Sequence, residues 1–116
     1  MSATTRESLA AALSTIDGVQ GYKSRPDTLN AAGGDAWPLV GELNRPPEAP
    51  AVWQTVWRIA VTLSPDLGVA TDQFDTIVPA VCDALVSELY IDSARPLTIP
   101  TEAGSLYGIE FLGRSE

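Results

Sequence analysis

The sequence predicts an α+β fold: one small domain over 1–116, with a mixed or mostly antiparallel sheet of four to five strands, two helices packed on one face, and the order α-β-β-β-α-β-β. Three observations predict it. The stretch VWQTVWRIAVTL, residues 52–63, alternates with period two. Trp53, Thr55, Trp57, Ile59, Val61 and Leu63 fall on one face, and Val52, Gln54, Val56, Arg58, Ala60 and Thr62 on the other. Downstream, Phe74, Ile77, Val78, Val81, Leu85 and Leu89 recur at helical spacing and form an apolar stripe. A lone strand is unstable in water, so the alternating strand requires partner strands and that helix over its apolar face. Finally, 116 residues that are 45% apolar suffice for one modest core.

The elements follow in chain order. Thr4 and Glu7 have the spacing of a capping box, and Leu9, Leu13 and Ile16 share one helical face among alanines, predicting a helix over 5–16 that Asp17-Gly18 stops. Residues 21–23 are a short strand. Residues 24–35 are polar and rich in Gly, Asn and Asp, the composition of a loop. Residues 36–43 are apolar enough for a strand, and Pro38 marks it as an edge or a bulge. Three prolines make residues 44–50 a rigid turn before the long strand 51–63. Ser64-Pro65-Asp66 ends that strand. Thr71 and Asp72 open a helix over 71–90, in which Pro79 introduces a kink. An edge-like strand over 95–101, a turn at 102–105 and an alternating strand over 106–113, with Tyr107, Ile109 and Phe111 on one face, complete the chain.

Composition excludes several function classes. Seven Lys and Arg against 15 Asp and Glu leave a net charge of −8, opposite to what nucleic-acid backbones and anionic membranes attract. Such a charge keeps a chain soluble, and it also suits a passage that DNA crosses without sticking. The single cysteine, Cys82, permits no intramolecular disulfide and reads as a small helix-side hydrophobe. No apolar run approaches the roughly 18 residues of a membrane span. The opening MSATTRESLAAAL lacks the features of a secretory leader, so the expected setting is the reducing cytoplasm or a particle assembled there.

Catalytic chemistry finds little material. There is no histidine, which removes the usual general base, the Ser-His-Asp triad and the commonest zinc ligand. The chain contains no GxGxxG, GxxxxGK[ST] or HExxH motif. Gly33-Gly34-Asp35 precedes a strand and is a turn signal rather than a phosphate cradle. Asp66, Asp72 and Asp75 read as favourable charge at the positive end of the second helix, without the spacing of a calcium loop. No catalytic, cofactor-binding or metal-ligating residue is therefore assigned. Trp37, Trp53 and Trp57 read as core or interface anchors. Arg58 stands between apolar neighbours on the second strand face, the pattern of a solvated face or of partial cover by another subunit.

Five segments carry a resemblance: TRESLAAALSTIDGVQGY, RPDT, GDAWPLVGELNRP, VWRIAVTL and the closing GSLYGIEFLGRSE. Read in order, they make the chain resemble tail terminator proteins of long-tailed actinobacterial phages, also described as head-to-tail connector or tail-completion proteins. Pro79 departs from the family pattern. The resemblance implies a small α/β domain that assembles as a hexameric ring on the last ring of the tail tube. Such a ring stops tube growth and offers a docking surface to head-completion or stopper proteins. It implies no reaction and no cofactor, genomic DNA passing through the lumen without specific binding, and a place in the virion at the head–tail junction. Function then lies in surfaces. The loop 24–35 and the proline turn are the expected contacts between subunits or with the tube protein, with Arg25, Asp27, Asn30, Arg45 and Arg58 as interface residues. Shortening 26–34 is expected to spare folding and impair assembly. The alternatives are a head-closure stopper, another connector or minor tail protein, a tail tube subunit, a small enzyme or ligand-binding module, and a regulatory binder of a host protein.

Overall fold

A computed structural model describes residues 4–30, 32–39, 42–44, 54–101 and 104–115, with the side chains of 42–44 and 54 left aside. The first helix, α1, spans Arg6–Leu13. Its N-cap is Thr5 rather than Thr4: the Thr5 hydroxyl accepts from the Ser8 amide, and the Ser8 hydroxyl accepts from the Thr5 amide. This reciprocal pair satisfies two amides that the helix itself cannot. Thr4 instead donates to the Glu88 carbonyl at 2.8 Å and pins the chain to a distant turn. The helix closes at Leu13, three residues before its expected end, and the backbone tightens through bonds from Thr15 to Ala12 and from Ile16 to Leu13.

The described strands are β1 (Gln20–Gly21), β2 (Asp35–Pro38), β3 (Glu42–Asn44), β4 (Gln54–Thr62), β5 (Tyr90–Thr101) and β6 (Gly104–Ser115). Across the sheet they run β1-β2-β4-β6-β5, with β3 also paired to β4. β1 and β2 are parallel, and all other pairings are antiparallel. β2 and β3 flank the same edge of β4, so six segments fill five positions, and the predicted order α-β-β-β-α-β-β holds with this one strand interrupted. Ala36 pairs Val61 and Pro38 pairs Ile59, whereas Glu42 pairs Val56, a register shift of one residue.

The second helix, α2, spans Leu67–Ala84, earlier at both ends than the apolar stripe predicts. Asp66, expected to end the strand and to place charge near the helix start, is the N-cap itself and accepts from the Val69 amide at 3.1 Å. Asp72 and Asp75 consequently lie beyond the first turn, and the helix-dipole reading holds for Asp66 alone. The helix continues through Pro79, and Leu85 and Leu89 reach the core from the turn that follows it. β5 then starts at Tyr90, five residues before its expected start, and β6 extends two residues beyond the predicted strand at each end.

Both helices cover one face of the sheet. Leu9 and Leu13 from α1 and Val81 from α2, with Leu85 just beyond it, meet Trp57, Ile59, Val61, Ile109 and Phe111 in the main core. Trp57 also donates from Nε1 to the Ser115 hydroxyl at 2.9 Å. Trp53 lies outside the described residues. β4 pairs β6 only from Gly108 onward, so the far end of the β5–β6 hairpin projects past the sheet. The domain is accordingly elongated, at 46 × 26 × 23 Å.

Candidate functional site

The rear face of the sheet, opposite the helices, is roofed by a strap of chain rather than by a third helix. Tyr22 begins it, donating to the Ala36 carbonyl at 2.8 Å. Tyr22 and Leu29 pack on Trp37, Ala60 and Ile99, which are almost fully buried. Arg25 Nη2 donates to the Pro100 carbonyl at 2.6 Å, and its guanidinium lies 5.9 Å from the centre of the Trp37 ring. The strap returns through Asn30, whose amide donates to Asp35 Oδ2 at 2.6 Å and whose side-chain oxygen accepts from the Ala32 amide at 2.9 Å. Segment 26–34 places Leu29 against a second, smaller core, a contact that argues against the expectation that shortening it spares folding.

Of the five expected interface residues, Arg25 and Asn30 hold the strap in place. Asp27 is exposed on the strap. Arg58 is exposed on the rear face of β4, in a row with half-buried Leu39, whose amide donates to the Arg58 carbonyl, and half-buried Leu112, its partner across β6. Arg45 lies outside the described residues, as does the proline turn after Asn44. Strap and β4 thus bring Arg25, Asp27, Asn30 and Arg58 to the rear side of the domain.

Several ionic contacts had no sequence signal. Glu110 is buried between Ile109 and Phe111 in sequence but faces the rear, where Arg95 Nε donates to its Oε1 at 2.8 Å. Arg114 grips Asp92 with both Nε and Nη2, at 3.0 and 3.1 Å, and lies over the Tyr90 ring. Arg6 donates to the carbonyls of Pro38 and Leu39 and sits over the Trp57 ring, tying α1 to the end of β2. Only strand pairing across the hairpin could have matched Arg95 to Glu110, and residue spacing does not reveal it.

On the helix side, two open depressions lie among the described residues. One, of about 500 Å³, is lined by Thr4, Cys82, Val86, Glu88, Tyr90 and Arg114. Its polar groups are engaged elsewhere: Glu88 accepts from the Ser8 hydroxyl and Arg114 holds Asp92. The other, of about 230 Å³, is an apolar groove between the start of α2 and the hairpin, with Leu63, Ala70 and Phe74 in it and Leu67, Pro96 and Tyr107 along it. Leu67 is 62% exposed and Tyr107 39% exposed. Among the described residues no three His, Cys, Asp or Glu side chains gather as metal ligands. Among the described residues the one hydroxyl–carboxylate contact, Ser8 to Glu88, belongs to the α1 cap. Also among the described residues, no helix is long and apolar enough to cross a membrane. These faces present exposed apolar groups such as Leu67 and Tyr107 beside charged side chains.

No family model matches the chain, and no characterised protein matches it in sequence.

Proposed function

We propose that this chain is a structural virion protein of the phage neck: a tail terminator that forms a hexameric ring, caps the tail tube, stops its elongation and presents a docking surface to the head. Its partners in that reading are further copies of itself, the tail tube protein and a head-completion or stopper protein, with DNA passing through the lumen. The observation that carries the reading is the placement of the five resembling segments. They fall on α1 and β1, on the strap, on β2 and β3, on β4 and on β6, leaving α2 and β5 without a resembling segment. The element order and the two helices on one sheet face agree with the small domain that resemblance implies. A net charge of −8 per copy agrees with a lumen that repels rather than binds DNA.

The test is electron microscopy of particles from a phage lacking this gene. Filled heads beside unjoined tails of irregular or excessive length are the expected outcome. Unjoined heads beside tails of normal length would move the protein to the head side of the joint, as a stopper. Intact infectious virions would overturn the neck reading altogether.

A further inference from the structure

We propose that a second copy of this chain docks on the α2 side of the domain, laying its rear sheet face around Arg58 against the groove between α2 and the β5–β6 hairpin. The proposal deepens the ring reading above and rests on it. The groove supplies an apolar centre, with Leu67 and Tyr107 exposed beside Phe74 and Pro96. Its surroundings are acidic: Asp75 lines it, and Asp66 and Asp72 lie on the same helix end. From residue 59 to residue 94 the sequence holds six Asp and Glu and no Lys or Arg. The rear face presents the opposite sign at Arg58. Arg58 is exposed there between the apolar shoulders of Leu39 and Leu112, and Arg25 is exposed on the strap. Apolar centre meets apolar shoulder, and carboxylate meets guanidinium.

The β5 edge offers no competing route. β5 is the long edge strand, but Pro96 and Pro100 remove amides from it, a bulge interrupts it between Ile91 and Ser93, and Asp92 and Arg95 place charge on it. These are the devices that block strand-to-strand association. Because the two complementary surfaces lie on opposite faces of one domain, the contact is head-to-tail. It leaves a free groove at one end and a free rear face at the other, so it propagates until a ring closes.

The test uses the intact chain. A photo-crosslinking amino acid replaces Leu67, and heavy- and light-isotope copies are mixed so that links between copies are distinguishable. The expected links join Leu67 of one copy to rear-face peptides of another, those bearing 22–30, 36–39, 54–60 or 111–115. Charge reversal supplies the second arm: Asp72→Lys with Asp75→Lys, and separately Arg58→Glu, each weaken self-association roughly tenfold in sedimentation experiments. Mixing the two variants in equal amounts restores it, since every contact between unlike copies is then native or doubly reversed and an alternating ring contains only such contacts. Three results would each overturn the proposal: groove-to-groove links, no links between copies up to about 1 mM, or no rescue on mixing. Absent links together with unjoined heads and tails on gene loss would discard this geometry and keep the neck reading. The expected links together with intact virions would do the reverse.

Discussion

Gly33 and Gly34 show how much a single backbone position can carry. Both have positive φ, at +87° and +100°, and both are buried where the strap turns into β2. A Cβ on Gly33 would stand 2.5 Å from the Leu63 carbonyl carbon, and one on Gly34 would stand 2.4 Å from the Gly18 carbonyl oxygen. Gly18 also has positive φ, +78°, but a Cβ there would meet nothing within 4 Å. Gly33→Ala is therefore expected to cost about 2 kcal/mol or more, with strain and clash together, whereas Gly18→Ala costs about 1 kcal/mol from strain alone. Urea unfolding of the two variants side by side checks the ordering, and equal losses would contradict it. The sequence marks Gly33-Gly34-Asp35 as a turn. That a strand backbone presses against it follows only from the fold.

At the scale of elements, helix ends show how local chemistry is read and misread. Thr4 and Thr5 are adjacent candidates for one cap, and the reciprocal bond with Ser8 selects Thr5 while Thr4 is drawn to Glu88. Asp66 follows a proline and so reads as strand-ending punctuation, yet its carboxylate reaches the Val69 amide and starts α2. Pro79 sits on the exposed side of that helix, where the carbonyl four residues earlier loses an amide donor but can turn to water. Pro79→Ala is expected to raise stability by about 1–3 kcal/mol without altering the fold, and thermal melting followed by circular dichroism tests this. The strap behaves oppositely to an ordinary surface loop. Removing 26–34 deletes Leu29 from the rear core together with the Gly33-Gly34 turn. The shortened chain is expected to lose its sharp unfolding transition, and a calorimetric trace as cooperative as that of the full chain would show that the strap is dispensable. Leu29→Ala, a milder change, should cost about 1–2 kcal/mol, below the range for a fully buried leucine because Leu29 is only partly buried.

For the whole molecule, charge is the dominant long-range term. Fifteen acids face seven bases on a body 46 Å long and 23 Å thick. At about 10 mM salt the screening length is roughly 30 Å, so the carboxylates repel one another across most of the domain; at 150 mM it falls to about 8 Å. The melting temperature is therefore expected to rise between those salt concentrations. A fall would mean that the attractive pairs, Arg95 with Glu110 and Arg114 with Asp92, outweigh the net repulsion. In the docking proposed above, the acidic α2 side of one copy meets Arg58 on the rear side of the next.

By itself, the sequence determined the fold class, the order of elements, the alternation that buries Trp57, Ile59 and Val61 under two helices, and the absence of histidine-based chemistry. These depend on period, composition and local propensity, which are properties of neighbouring residues. Only the tertiary structure decided that residues 22–30 cross the rear of the sheet, that Arg25 is tied to Pro100, that Glu110 is buried against Arg95, and that an apolar groove opens beside α2. Each of these joins residues far apart in the chain. Such contacts form when strand register and helix packing bring distant surfaces together, and no short-range pattern encodes which surfaces those are.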